Sequence, residues 1–145
     1  MKLVIACDHA GCEVKNEVIA ALEGKGYEVK DFGCYTNESV NYPDYAHLVC
    51  KAIQDKEAEL GILICGTGIG MSMAANKHKG IRAALCSDVF SAKMTKEHNN
   101  ANVICLGGRV TGRELAFMIV DAWYDAEFQG GRHADRIAKI HKIEE

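Results

Sequence analysis

The chain has 145 residues, of which 17 are basic and 20 acidic, so its formal net charge at pH 7 is −3. A length of this order predicts one domain, and we expect residues 1–145 to fold around a single core. Charges of both signs are interspersed along the chain, which argues against nucleic-acid binding and indicates a small-molecule partner. No segment approaches the ~20 consecutive apolar residues of a membrane span, so no membrane association is expected.

The seven cysteines are many for a chain of this length. Their number is odd and no two form a C-x-x-C pair, which argues against both a disulfide framework and a zinc site. This pattern predicts reduced thiols and a cytoplasmic location. With no ligand cluster at metal spacing, we also expect neither a metal ion nor a cofactor. Six cysteines are assigned to packing or to the surface, without a functional role: Cys7, Cys12, Cys34, Cys50, Cys86 and Cys105.

Short apolar runs of strand length recur along the chain, at residues 3–7, 27–32, 60–65, 81–86 and 102–106. Segments with helical periodicity lie between them, and Pro43 is suited to the first turn of the second helix. Thr111 and Glu114 have the spacing of a capping box at the start of a later helix. A last helix is expected at about 132–143. The alternation predicts an α/β fold, with a doubly wound, Rossmann-like, five-stranded parallel sheet and an additional C-terminal helix.

Polar residues follow the predicted strands at the point where each strand ends. In sheets of this type, ligands bind at the carboxyl edge, so we expect these residues to lie on one rim. They are Asp8 and His9 after the first strand, residues 65–70 after the third, Ser87 and Asp88 after the fourth, and Arg109 after the fifth.

The loop "CGTGIG" at residues 65–70 places a cysteine before three glycines. A dinucleotide-binding fingerprint needs its third glycine at position 71, where Met71 stands, and a phosphate-binding P-loop needs a Gly-Lys-Ser/Thr ending. A thiol-phosphatase loop needs an arginine, also at position 71. What remains is a turn whose backbone N–H groups hold an anion and favour a thiolate at Cys65. The alternative is that Cys65 is only the buried end of a strand.

The segment "GGRHADRIAKI" places Arg132 and Arg136 one helical turn apart on the same face of a helix. Two guanidinium groups at this spacing can hold a phosphate through charge-assisted hydrogen bonds. The alternative is an ordinary solvated basic face. The adjacent His133 and the preceding glycines favour the phosphate interpretation.

Seven sequence blocks together resemble ribose-5-phosphate isomerase type B. The resemblance covers nearly the whole chain in order, and the same superfamily contains the galactose-6-phosphate isomerase subunits. The blocks are "ACDHAG" (6–11), "NYPDYA" (41–46), "CGTGIGMSMAANK" (65–77), "GIRAALC" (80–86), "EHNNANV" (97–103), "LGGR" (106–109) and "GGRHADRI" (130–137).

This resemblance implies an aldose–ketose isomerase that interconverts ribose 5-phosphate and ribulose 5-phosphate through an enediolate. Cys65 would move the proton between C2 and C1, since Met71 replaces the glutamate that acts as base in another branch of the family. The other implied catalytic residues, which open the sugar ring and handle hydroxyl protons, are Thr67, His98 and Asp8. The implied substrate-binding residues are Gly66, Gly68, Gly70 and Asn99 for the enediolate, Tyr42 for the sugar, and His9, Arg109, Arg132, His133 and Arg136 for the phosphate.

His98 and Asn99 precede the predicted fifth strand and therefore belong at the edge opposite Cys65. A strand of five residues is roughly 17 Å long, yet the resemblance places these groups in one site. We therefore predict a homodimer, or a dimer of dimers, with active sites shared between subunits. The alternative functions are isomerisation of a 6-phosphohexose or a rare free sugar, and noncatalytic sugar-phosphate binding.

Overall fold

A five-stranded, all-parallel sheet forms the centre of the computed structural model, which describes residues 2–145. The strands are β1 (Leu3–Cys7), β2 (Val29–Asp31), β3 (Leu60–Cys65), β4 (Ala83–Leu85) and β5 (Val103–Gly107). Their order across the sheet is β2-β1-β3-β5-β4. Residue 1, with which the predicted domain begins, lies outside the described residues.

In the described part of the chain, six helices connect and cover the strands. They are α1 (Cys12–Gly24), α2 (Tyr42–Gln54), α3 (Ile69–Ala75), α4 (Val89–Asn99), α5 (Arg113–Asp125) and α6 (Arg132–Ile143). The predicted fold class is thus confirmed, including the C-terminal helix at about 132–143. Within residues 2–145, no helix combines the length and the apolar character needed to cross a membrane.

Two apolar cores lie on the two faces of the sheet because successive strand side chains point to opposite sides. In β1, Leu3 and Ile5 pack into one core together with α1, α5 and the fully buried Trp123. Val4 and Ala6 pack into the other core with α2 and α3. Burial on both faces explains why the central strands are continuously apolar in sequence.

The three central strands match their predicted apolar runs to within one residue at each end, whereas the two edge strands are shorter than predicted. β2 pairs with β1 over three residues, and β4 pairs with β5 over three residues. Each edge strand has a pairing partner on only one side. Its hydrogen-bonded pairing ends before its apolar run does. Apolar content therefore overestimates the length of both edge strands.

The starts of two helices test the sequence signals. Pro43 lies in the first turn of α2, as predicted. The capping box predicted at Thr111 is wrong, because the N-cap of α5 is Gly112, which has no side chain that could accept a capping bond. The hydroxyl of the buried Thr111 instead donates to the carbonyl oxygen of Gly107, 2.9 Å away.

Candidate active site

The ends of β1, β3 and β5 meet at one edge of the sheet because the strands are parallel. Cys65 lies in register with Gly107. The backbone N–H of Asp8 donates to the carbonyl oxygen of Ile64 over 3.0 Å, and that of Gly108 donates to the carbonyl oxygen of Cys65 over 2.7 Å. These bonds tie the three strand ends together, so the residues that follow them form one rim, as the sequence predicts.

Cys65 is the last residue of β3, and its side chain is 5% exposed at the floor of this rim. The amide N–H of Gly68 donates to its sulfur over 3.2 Å. Thr67 is exposed beside it, and its hydroxyl oxygen accepts a hydrogen bond from the N–H of Ile69 at the start of α3. One short loop therefore carries both a thiol and an exposed hydroxyl group.

Glycine is required at two positions of this loop for different reasons. Gly68 has φ +81°, and a Cβ atom there would lie 2.5 Å from Cδ1 of Leu85. A Cβ atom at Gly70 would lie 2.6 Å from the ring of Tyr42. The first glycine provides a left-handed backbone conformation. The second provides space for the ring of Tyr42, which lies against the loop.

Asp8 and His9 face the rim from the end of β1. Asp8 is buried, and its carboxylate accepts a hydrogen bond from the N–H of Ala10 at 2.9 Å. Nδ1 of His9 accepts from the N–H of Val40 over 3.3 Å. A neutral ring that accepts at Nδ1 carries its proton on Nε2, which is then available to donate to a ligand.

Arg109 reaches the same rim from the loop after β5. Its backbone N–H donates to the carbonyl oxygen of Gly66 over 3.0 Å. A Cβ atom at Gly66 would lie 3.5 Å from Nη1 of Arg109, so the guanidinium group lies next to the Gly66 backbone. Thr111 closes this loop through both its N–H and its hydroxyl, which donate to Gly107. Sequence analysis missed this positioning role because the capping-box spacing suggested a different partner for Thr111.

The remaining predicted residues lie elsewhere within the chain. His98 and Asn99 end α4, and α6 begins at Arg132 and packs against α4. The rings of His98 and His133 are stacked, with centroids 4.4 Å apart and planes at 11°. α4 leads into the amino end of β5, and that end is about 13 Å along the strand from the level of Cys65. These residues at the end of α4 and the start of α6 form a second group. A single chain therefore does not bring this second group to the cysteine loop.

The second group is strongly basic. Arg132 and Arg136 are exposed, whereas His133 is buried between them and His98. Burial lowers the pKa of His133, and the positive charges of His98, Arg132 and Arg136 lower it further. Concentrated positive charge at exposed arginines is suited to binding an anion such as phosphate.

Two further rim or edge residues have identifiable surroundings. Asp88, which follows β4, caps α4 by accepting a hydrogen bond from the N–H of Ser91 over 2.7 Å, which is a structural role.

Asn99 lines a pocket of about 440 Å³ at the amino edge, together with Arg82 and Glu144.

Comparison with known proteins identifies the family. The sequence profile described as Ribose/Galactose Isomerase matches residues 3–140. The chain belongs to this family. The resemblance found in the sequence blocks is therefore confirmed.

Individual members of the Ribose/Galactose Isomerase family are similar over almost their whole length. Ribose-5-phosphate isomerase B of Escherichia coli strain K12 is 49% identical, with 99% of this chain and 97% of the relative covered. The solved structure of ribose-5-phosphate isomerase B from Clostridium thermocellum is 53% identical, with a TM-score of 0.98 and coverage of 99% and 97%. The corresponding protein of Mycoplasma genitalium, solved with bound ribulose-5-phosphate, is 43% identical, with a TM-score of 0.93 and coverage of 99% and 95%.

Proposed function

We propose that residues 1–145 form one isomerase domain that interconverts ribose 5-phosphate and ribulose 5-phosphate through an enediolate. The observation that carries this proposal is the Cys65 sulfur, held by the N–H of Gly68 at the rim of a fold whose relatives are named ribose-5-phosphate isomerase B.

The seven cysteines are all free and buried, which supports a reducing compartment such as the cytoplasm.

The chemistry follows from the groups at the rim. The Cys65 thiolate removes the proton from C2 of the open-chain aldose and returns it to C1, which gives the ketose. Negative charge develops on the enediolate oxygens between these two transfers. Backbone N–H groups of the turn from Gly66 to Gly70, together with Asn99, stabilise that charge. The reaction is a proton transfer between two carbons, so no step requires a cofactor.

The other predicted residues prepare and orient the sugar. Asp8 and Thr67 lie close to Cys65 and handle the hydroxyl protons, and His98 assists opening of the furanose ring. Tyr42 borders the sugar site beside Gly70. The phosphate is held by His9 and Arg109 from the rim and by the second, basic group formed by Arg132, His133 and Arg136.

Joining these two groups requires a second subunit, and we assign the protein to a homodimer with shared sites. One subunit contributes the rim with Cys65, and its partner contributes His98 with the basic start of α6. Large apolar side chains stand exposed around the rim, which supports an interface there. They are Leu85 at 41% exposure, Phe90 at 72%, Val110 at 60% and Ile69 at 46%.

The activity is tested with a panel of four-, five- and six-carbon sugar phosphates and the corresponding free sugars. Ribose 5-phosphate is expected to be converted fastest, with exchange of the C1 or C2 hydrogen with solvent deuterium. Faster conversion of galactose 6-phosphate would favour the other activity named in the family description. Binding of the panel without any exchange would show a noncatalytic sugar-phosphate-binding protein and overturn the proposal.

Subunit mixing tests the shared site. Inactive Cys65→Ala and inactive His98→Ala chains are unfolded together and refolded. In a mixed dimer, one site carries both substitutions and the other carries neither, so random mixing should restore roughly a quarter of the wild-type rate. Verified heterodimers without activity would show that His98 does not act across the interface.

A further inference from the structure

Three cysteines outside the proposed active site form a compact cluster. Cys7 ends β1, Cys12 begins α1, and Cys34 lies in the loop after β2. Their three Sγ atoms all lie within 4.8 Å of one another. The sulfur of Cys12 is 3.7 Å from that of Cys7 and 3.4 Å from that of Cys34. All three thiols are free and buried, with residue exposures of 0% for Cys7, 6% for Cys12 and 3% for Cys34.

The proposed isomerase mechanism does not use this cluster. Cys65 packs into the core on the α2 and α3 face of the sheet, whereas Cys7, Cys12 and Cys34 belong to the core on the α1 and α5 face. The sheet therefore separates the two sets of thiols, and the cluster requires an explanation of its own.

The sulfur separations match those around a single metal ion. Metal–thiolate bonds of about 2.3 Å place two sulfurs of one tetrahedral complex about 3.8 Å apart, and three sulfurs in a trigonal complex about 4.0 Å apart. The measured separations of 3.4 Å and 3.7 Å, and the upper limit of 4.8 Å for the third, lie around these values. Small side-chain adjustments would allow all three sulfurs to bind one ion.

The donor set selects the type of ion. The group contains three sulfurs and no imidazole or carboxylate. Structural zinc sites almost always have four ligands, and calcium and magnesium require oxygen ligands. Soft thiolate ligands select Cu(I), which does not require a fourth donor. We propose that Cys7, Cys12 and Cys34 form a three-sulfur binding site for a soft monovalent metal ion, with Cu(I) as the best match.

A buried cation beside the cluster fits this assignment. Thiols that bind the ion release their protons to solvent, no electrons are transferred, and the resulting copper–thiolate complex is anionic. Lys15 is 1% exposed, and its Nζ donates to the carbonyl oxygen of Cys34 over 2.8 Å. The same ammonium group donates to both carboxylate oxygens of Asp31, at 2.8 and 2.9 Å. Because Asp31 already shares this ammonium charge, Lys15 offsets only part of the negative charge that metal binding adds to the buried site.

The test measures Cu(I) binding to the full-length chain without oxygen, in competition with a chromogenic Cu(I) chelator. Cys65→Ala serves as the parent, so that the active-site thiol does not contribute. One Cu(I) per chain is expected, with sulfur-to-copper absorption in the near ultraviolet. Adding Cys12→Ala should weaken binding at least tenfold. Adding Cys86→Ala, which removes a buried thiol outside the cluster, should leave binding unchanged.

X-ray absorption of the copper-loaded parent provides a readout that does not depend on the folding of the Cys12→Ala variant. Three sulfur neighbours at about 2.3 Å are expected, as for other metal–thiolate bonds. Nitrogen or oxygen neighbours, fewer than half an equivalent of bound copper, or equal losses in the Cys12→Ala and Cys86→Ala variants would each overturn the proposal. Tighter binding of Zn²⁺ than of Cu(I) would overturn the assignment of the ion.

Discussion

The backbone N–H of Gly68 donates a hydrogen bond to the sulfur of Cys65 across 3.2 Å. Because we propose that Cys65 transfers the proton between C2 and C1, we predict that Cys65→Ala lowers kcat for ribose 5-phosphate by about 100-fold or more. The fold and the affinity for inorganic phosphate should remain close to wild type. Steady-state kinetics and phosphate binding are the measurements.

Cys86→Ala is the matched control for this substitution. Burial raises the pKa of Cys86 to about 11, so its thiol stays protonated at neutral pH and cannot act as a base. Its loss should affect stability and leave kcat near the wild-type value. Retention of more than a tenth of the wild-type rate by Cys65→Ala would show that another group moves the proton.

Gly68→Ala should destabilise the protein. The new methyl group would require a left-handed backbone at φ +81° and would lie 2.5 Å from Leu85. Strain of this kind costs about 1–3 kcal/mol in the free energy of unfolding, which urea denaturation measures. In Gly24→Ala, at the end of α1, a Cβ atom would meet no atom of residues 2–145 within 4 Å. Stability should therefore be unchanged or up to about 1 kcal/mol higher. Equal effects of the two substitutions would contradict the steric argument.

Arg136→Ala should raise KM for ribose 5-phosphate by roughly tenfold or more, since a charge-assisted hydrogen bond to phosphate is lost. Any activity on the free sugar should be unaffected, and inhibition by inorganic phosphate should weaken. Arg113→Ala is the control, because that exposed arginine forms ion pairs with Glu17 and Glu114 on the surface. An equal rise in KM for phosphorylated and free sugars would assign Arg136 a structural role.

His133 should make stability depend on pH in the weakly acidic range. Burial and the neighbouring positive charges lower its pKa below the ordinary value of 6.5, so the folded state binds this proton less readily than the unfolded state. As the pH falls below about 6.5, the unfolded state is protonated first and the free energy of unfolding decreases. The Tm of the wild type should therefore fall more between pH 7.5 and pH 5.5 than the Tm of His133→Gln. Parallel Tm curves for the two proteins would contradict this prediction.

The sequence by itself determined the sheet, the order of the elements and half of the candidate site. Continuous apolar runs predicted the central strands, because burial on both faces leaves no polar alternation. Parallel strands end at a common edge, so Asp8, Cys65 and Arg109 could be placed on one rim from their positions after strands. The cysteine loop was also readable, because Gly68 bonds to Cys65 only three residues away.

Only the tertiary structure decided which residues distant in sequence come into contact. It placed Tyr42 against Gly70 and Thr111 on Gly107, and it brought Cys34 to within 3.4 Å of Cys12. It also placed Arg132 and Arg136, which we propose to bind phosphate, at the start of α6 near His98 and away from the rim that carries Cys65. The helical spacing of these two arginines does not reveal that separation. Local patterns encode burial and periodicity within an element, whereas these contacts arise from the pairing of β1 with β2 and the packing of α6 on α4, which depend on the whole chain.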